Sequence, residues 1–181
     1  MARLALATER LCLRPFVLND APDVQRLAGD RAIAEMTLNI PHPYPDGTAE
    51  AWINTQPENF AREKSASFAV VLLEEHQLIG ATGLEIRRKH DRAELGYWIG
   101  KPYWDRGYCT EAAAVVLDYG FNDLNLNRIQ AHHFSKNLAS GRVMQKIGMT
   151  HEGSLCQAVK KWDQYLDIEL YCLLKSEYPD L

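Results

Sequence analysis

The sequence predicts an α/β protein of the α+β kind, with a mixed, mostly antiparallel central sheet of about seven strands flanked by helices. Three observations lead there. First, the β-rich runs 67–73 and 78–86 are joined by Glu74-Glu75-His76-Gln77 as a hairpin, and Lys89-His90-Asp91-Arg92 turns into a further run around Tyr97. That is an antiparallel meander. Second, the order then changes to helix, strand and helix: an apolar helix through residues 113–117, a short strand over 128–133 and a helix over 139–146. Third, the last part returns to strands near 150–156 and 165–174. Strands giving way to alternating helix and strand indicate a mixed sheet rather than a sandwich.

Upstream of the meander, Leu11 and Leu13 alternate with polar neighbours and Pro15 ends the run, which predicts an opening strand. Asp20 then starts a helix, supported by Pro22 in its first turn and by Val24 and Leu27, with Gly29 as its stop. Ile40-Pro41-His42-Pro43-Tyr44-Pro45-Asp46-Gly47 is neither helix nor central strand, and Thr48 is expected to N-cap a helix over 49–64. This loop is expected to border an acceptor site. No internal repeat or low-complexity tract interrupts the chain, so residues 1–181 are expected to form one domain.

At 181 residues and 46% hydrophobic content the chain can bury a substantial core without staples. Its formal charge of −4 supplies no basic face, which argues against direct nucleic-acid binding. Cys12, Cys109, Cys156 and Cys172 form no C-x-x-C pair and lie in or beside apolar segments, so they read as reduced, mostly buried thiols. His132 and His133 are adjacent in a strand and point to opposite faces; no metal site is expected. No run approaches a membrane span, and the first apolar stretch is too short for a signal-peptide core, so a cytoplasmic protein without membrane contact is expected.

The most informative segment is Trp104-Asp105-Arg106-Gly107-Tyr108-Cys109-Thr110-Glu111-Ala112. Preceded by the strand run 93–99, it makes a strand, a glycine-bearing turn and a helix. Gly107 permits a tight turn, and the helix that follows offers unpaired N–H groups and the positive end of its dipole. An anion placed there is held by backbone, an order that suits a phosphorylated cofactor. A second segment, Asn137-Leu138-Ala139-Ser140-Gly141-Arg142-Val143-Met144-Gln145-Lys146-Ile147-Gly148-Met149, makes the signal specific. The pair resembles the two hallmark segments of the GNAT superfamily of acetyl-CoA-dependent N-acetyltransferases, particularly the RimJ/RimL-type branch that acetylates ribosomal-protein N-termini. The resemblance extends from Thr8-Glu9-Arg10-Leu11-Cys12-Leu13-Arg14-Pro15 through Leu78-Ile79-Gly80 to Asp167-Ile168-Glu169-Leu170-Tyr171-Cys172-Leu173-Leu174. Two departures sit in the cradle, where similar proteins usually carry Gly in place of Asp105 and a small Ala or Gly in place of Cys109. A carboxylate at Asp105 would repel a pyrophosphate unless it faces solvent or caps the helix, and a solvated cap is the expectation.

The resemblance implies acetyl-CoA as cosubstrate and assigns the remaining roles. Backbone groups on the strand at Tyr97, Trp98 and Ile99 would hold the pantetheine arm and polarise the thioester carbonyl, the aromatic side chains serving mainly the core. The cradle from Arg106 through Gly107, Tyr108, Cys109 and Thr110 would take the pyrophosphate, with the Thr110 hydroxyl adding a bond and Arg106 a charge. Glu111 is explained by the helix dipole alone. Asn137 would meet the pantetheine amides, Lys146 the nucleotide end, and Ser140 is the position from which similar enzymes are thought to protonate the leaving thiolate. Glu94 is the expected base, with Glu85 in reserve. The expected reaction is direct acetyl transfer to a primary amine. A protein N-terminus is the first choice of acceptor and a polyamine, amino acid or aminoglycoside the second. A non-catalytic acyl-CoA-binding protein is the rival reading, and pairing through terminal strands into a homodimer follows by analogy.

Overall fold

A computed structural model describes residues 5–179. Its strands are β1 (Leu6–Ala7), β2 (Leu11–Arg14), β3 (Ser65–Leu72), β4 (Leu78–Arg87), β5 (Arg92–Ile99), β6 (Arg128–Phe134), β7 (Thr150–Lys161) and β8 (Gln164–Leu174). They form one sheet in the order β1-β2-β3-β4-β5-β6-β8-β7, antiparallel throughout except between β5 and β6. The eighth strand beyond the expected seven is β1, two residues long and too short to carry an alternation.

Among the described residues five α-helices flank the sheet: α1 (Ala21–Ala28), α2 (Arg31–Ala34), α3 (Thr48–Ala61), α4 (Tyr108–Asp118) and α5 (Leu138–Lys146). α1 has Pro22 in its first turn and stops at Gly29, as expected. The single turn of α2 has no sequence periodicity to announce it; Asp30 caps it by accepting from the Ala32 N–H at 2.8 Å. Thr48 is the first residue of α3 and not its cap, a correction: Gly47, in the left-handed region at φ +78°, occupies the cap position. That helix also ends at Ala61, short of the expected residue 64.

Each face of the sheet carries its own core. α4 and α5 cover one face with Leu13, Phe68, Val70, Leu84, Leu95, Val116 and Ile129, all buried. α1 and α3 cover part of the other with Phe16, Val24, Leu27, Ile53, Val71 and Ala81. Strand alternation therefore sends Leu95, Tyr97 and Ile99 toward α4 and α5, and Glu94 and Trp98 toward the opposite face.

The feature that positions the site is an incomplete pairing. β5 and β6 meet only through Arg92, Ala93 and Glu94 opposite Arg128, Ile129 and Gln130. Beyond that point the two strands have no ladder between them. Main-chain groups on this side of Leu95–Ile99 lack a strand partner and require another one.

Candidate active site

Beside this opening begins α4. Its N-cap is Gly107 at φ +79°, with no side-chain cap bond, and the first helical bond runs from Glu111 N–H to Gly107 O at 3.1 Å. The N–H groups of Tyr108, Cys109 and Thr110 thus precede the helical ladder and point out of the helix start, at the positive end of an eleven-residue dipole. Asp105 does not cap this helix, which corrects the expected cap. It is exposed, two residues upstream of the cap, at φ +59°. Aspartate tolerates that conformation better than most residues, and glycine tolerates it without cost. Asp105→Gly should therefore leave acetyl-CoA affinity equal or tighter and raise stability by no more than about 1 kcal/mol. Calorimetric titration and thermal unfolding check this; a marked loss of affinity would show that Asp105 supports the loop.

Beneath the cradle lies a clamp built from the distant start of β2. Glu111 Oε1 accepts from the Thr8 hydroxyl and from the Arg10 N–H at 3.0 Å, and its Oε2 accepts from Arg10 Nε at 2.7 Å. Arg10 Nη1 donates to Arg106 O at 3.0 Å, and its guanidinium lies 4.6 Å from the Tyr108 ring centroid. Glu111 therefore does more than offset the helix dipole: it fastens α4 to β2. Arg10 was not anticipated as a site residue, since no local spacing connects it to a turn almost one hundred residues away. A second tie joins the cradle to the opening, as the Trp104 indole N–H donates to Ile99 O at 2.6 Å.

Hydroxyl and titratable side chains lie on the two faces of the opening. On the α5 side, Tyr97 Oη is 2.9 Å from Ser140 Oγ and donates to Ser140 O at 3.1 Å. Burial pushes the Tyr97 phenol well above its ordinary range, so it stays protonated. On the other face, Glu94 Oε1 is 3.0 Å from His132 Nδ1, and Oε2 accepts from Gln130 Nε2 at 3.3 Å. The bond to His132 is the main reason that Glu94 is held below the usual carboxylate range, against a burial effect that raises it. That same bond raises His132. Glu85 is exposed, 3.8 Å from Arg87.

Residues 10–150 match the family model described as an acetyltransferase (GNAT) domain. The chain belongs to the GNAT acetyltransferase family. It is an acetyl-CoA-dependent N-acetyltransferase. It is 32% identical over 175 residues to the uncharacterized N-acetyltransferase p20 of Bacillus licheniformis, covering 96% of this chain and 97% of that one. Over 95 residues it is 30% identical to the spermidine N(1)-acetyltransferase of Escherichia coli (strain K12), covering 52% and 51% respectively. The solved structure of RimL, a ribosomal L7/L12 α-N-protein acetyltransferase in complex with coenzyme A, shares the fold. Its TM-score is 0.87 at 16% identity, covering 94% of this chain and 98% of that one.

Within this GNAT fold the other expected site residues are dispersed. Arg106 is exposed beside the cradle, and Trp98 is half-buried against α1 and α3. Asn137 caps α5, its Oδ1 accepting from Ser140 N at 3.2 Å while Nδ2 donates to Met36 O at 3.5 Å. Lys146 is exposed at the far end of the helix from Ser140. Burial drives the Cys109 thiol up to about 12, which makes it a packing residue and no nucleophile. Of the four thiols only Cys172 is buried; Cys12 and Cys109 are half-buried and Cys156 is exposed in an irregularity of β7 between Leu155 and Val159, which corrects the expectation of mostly buried thiols. His133 is buried on the α5 face and His132 lies on the other, the expected opposition. Among the described residues no cluster suits a metal ion, and no helix is long and apolar enough to cross a membrane.

Proposed function

We propose that this GNAT enzyme acetylates a protein N-terminal α-amine by direct transfer, with a small amine as the second reading. The observation that carries the proposal is the coincidence of an uncapped helix start at Gly107 with a sheet opening flanked by Ser140 on one face and Glu94 on the other. The residues fit acetyl-CoA. Backbone N–H groups of Tyr108, Cys109 and Thr110 would hold its pyrophosphate, Arg106 would add charge, and the free edge of β5 at Trp98 and Ile99 would take the pantetheine arm, with Asn137 meeting its amides. When bound, acetyl-CoA supplies an activated thioester.

The chain's own groups then manage protons. Ser140 Oγ, held by Tyr97, would supply a proton to the departing sulfur, and Glu94 with His132 would form the basic side that receives the amine. An α-amine with a pKa of about 7.8 is roughly 10% neutral at pH 7, whereas a lysine near 10.4 is under about 0.1% neutral, so the first needs little help from a base. A pocket of about 160 Å³ beside Glu94 favours an N-terminus over a polycation such as spermidine. Its acids Glu85 and Glu94 are offset by Arg87 and Arg92, leaving no surplus negative charge for a second ammonium. With its cysteines unpaired, the enzyme suits the reducing cytoplasm.

Thiol release measured over N-terminal peptides, spermidine and aminoglycosides tests the reading. Peptide turnover supports it, and turnover confined to small amines replaces it with the second. Ser140→Ala should lower kcat about 100-fold with acetyl-CoA affinity little changed; an unaltered kcat removes Ser140 from the chemistry.

A further inference from the structure

We propose that His132 is the catalytic residue that accepts the amine's proton, through Nε2, and that Glu94 is its positioning residue. The inference rests on the acetyl-transfer reading and deepens it. β5 and β6 part immediately after Glu94 and Gln130, and His132 is the second residue of β6 past the parting. Strand alternation places it on the face of Glu94 and Gln130, across the opening from Ser140.

The hydrogen-bond pattern assigns the tautomer. An ionised carboxylate only accepts, so the 3.0 Å contact requires the proton on His132 Nδ1, and in the neutral imidazole Nε2 then keeps its lone pair. Glu94 has one oxygen engaged by His132 and the other by Gln130, whereas the His132 side chain is 28% exposed and its Nε2 faces no described hydrogen-bond partner. The groups sharing this face are Arg92 and Glu94 on β5, Glu85 and Arg87 on β4, Arg128 on β6, Cys172 on β8 and Glu152 on β7. Of these, Glu94 acts most strongly on His132, followed by Glu85, and both raise it.

As the neutral amine nitrogen bonds to the acyl carbon, its surplus proton passes to Nε2 and leaves an imidazolium beside the Glu94 carboxylate. The electron pair of the broken C–S bond stays on sulfur, which takes a proton from Ser140 Oγ. The imidazolium then loses its proton to water and Ser140 regains one, so the enzyme is unchanged and an amide and a free thiol are the products.

The active imidazole is neutral and its folded pKa is raised, so kcat/KM should rise with pH through a midpoint above the ordinary 6.5. Removing the carboxylate must shift that midpoint down. The test pairs an NMR titration of the His132 ring in the free protein, wild type and Glu94→Gln, with pH profiles of kcat/KM. The acceptor is whichever of a Ser-initiated peptide and spermidine turns over, and its own ionisation is common to all variants. The expected results are a lower His132 midpoint in Glu94→Gln and a rate limb that moves with it. His132→Gln should lose about 100-fold in kcat together with the enzyme's own limb, with acetyl-CoA binding retained. A wild-type profile in His132→Gln, or an NMR midpoint that Glu94→Gln leaves in place, overturns the inference. A wild-type chain that binds acetyl-CoA yet releases no thiol with any acceptor defeats the acetyl-transfer reading instead, and the NMR midpoint still decides whether Glu94 sets the imidazole.

Discussion

Gly107→Val is expected to weaken acetyl-CoA binding about a hundredfold or more, while the chain still folds. Two costs combine. At φ +79° a β-branched residue is strained by roughly 1–3 kcal/mol, and the turn relieves that strain by moving φ, which rotates the N–H groups of Tyr108 and Cys109 away from a common focus. Each charge-assisted bond lost to a phosphate is worth about 1.5–3 kcal/mol, so losing even one or two reaches the hundredfold level. An added Cβ would also lie 3.5 Å from Arg10 Nη2, an ordinary contact, so the backbone and not crowding is the cause. Gly107→Ala should show a smaller loss in the same direction. Calorimetric titration with acetyl-CoA decides: an affinity within a few fold of wild type for the valine variant would mean that the phosphates are not held at this helix start.

The parts of this site that could be read in the sequence are those encoded within a few residues. The cradle is one: a glycine, a helix start and the strand before it are consecutive, and their geometry follows from local backbone preferences. The asparagine that caps α5 and the serine in its first turn are another, three residues apart. What escaped is what the sheet assembles. Tyr97 reads as a core aromatic until β5 and α5 meet, when its hydroxyl reaches Ser140. Glu94 and His132 lie on different strands, and only the parallel register of β5 with β6 brings them together. The opening between those strands is a failure of pairing, and hydrophobic alternation carries no record of where a ladder stops. The helix caps differ from expectation for a related reason. Thr48 and Asp105 have capping side chains, but Gly47 and Gly107 had already placed the helix starts by adopting positive φ.

The clamp under the cradle is the largest of these long-range features, and Glu111→Ala should cost about 1–3 kcal/mol of stability together with a several-fold loss of acetyl-CoA affinity. Four donors converge on that carboxylate, from the Thr8 hydroxyl and from the Arg10 backbone, Nε and Nη2. Arg10 is 44% exposed, so water takes over part of its demand and the larger figures for buried pairs do not apply. Affinity suffers because Arg10 also holds the Arg106 carbonyl and stacks on Tyr108, on either side of Gly107. Burial alone would raise Glu111, but the bonds from Thr8 and Arg10 outweigh it and hold the carboxyl below its ordinary value of 4.5. A depressed folded pKa means stability that is present above the unfolded value and lost as pH falls through the folded one. The gap between wild type and Glu111→Ala should therefore be constant around neutrality and shrink at pH values below about 4.5. Urea unfolding near pH 7 and near pH 3.5 measures both ends, and a gap that stays the same at the two would assign the loss to side-chain packing and not to the charged clamp.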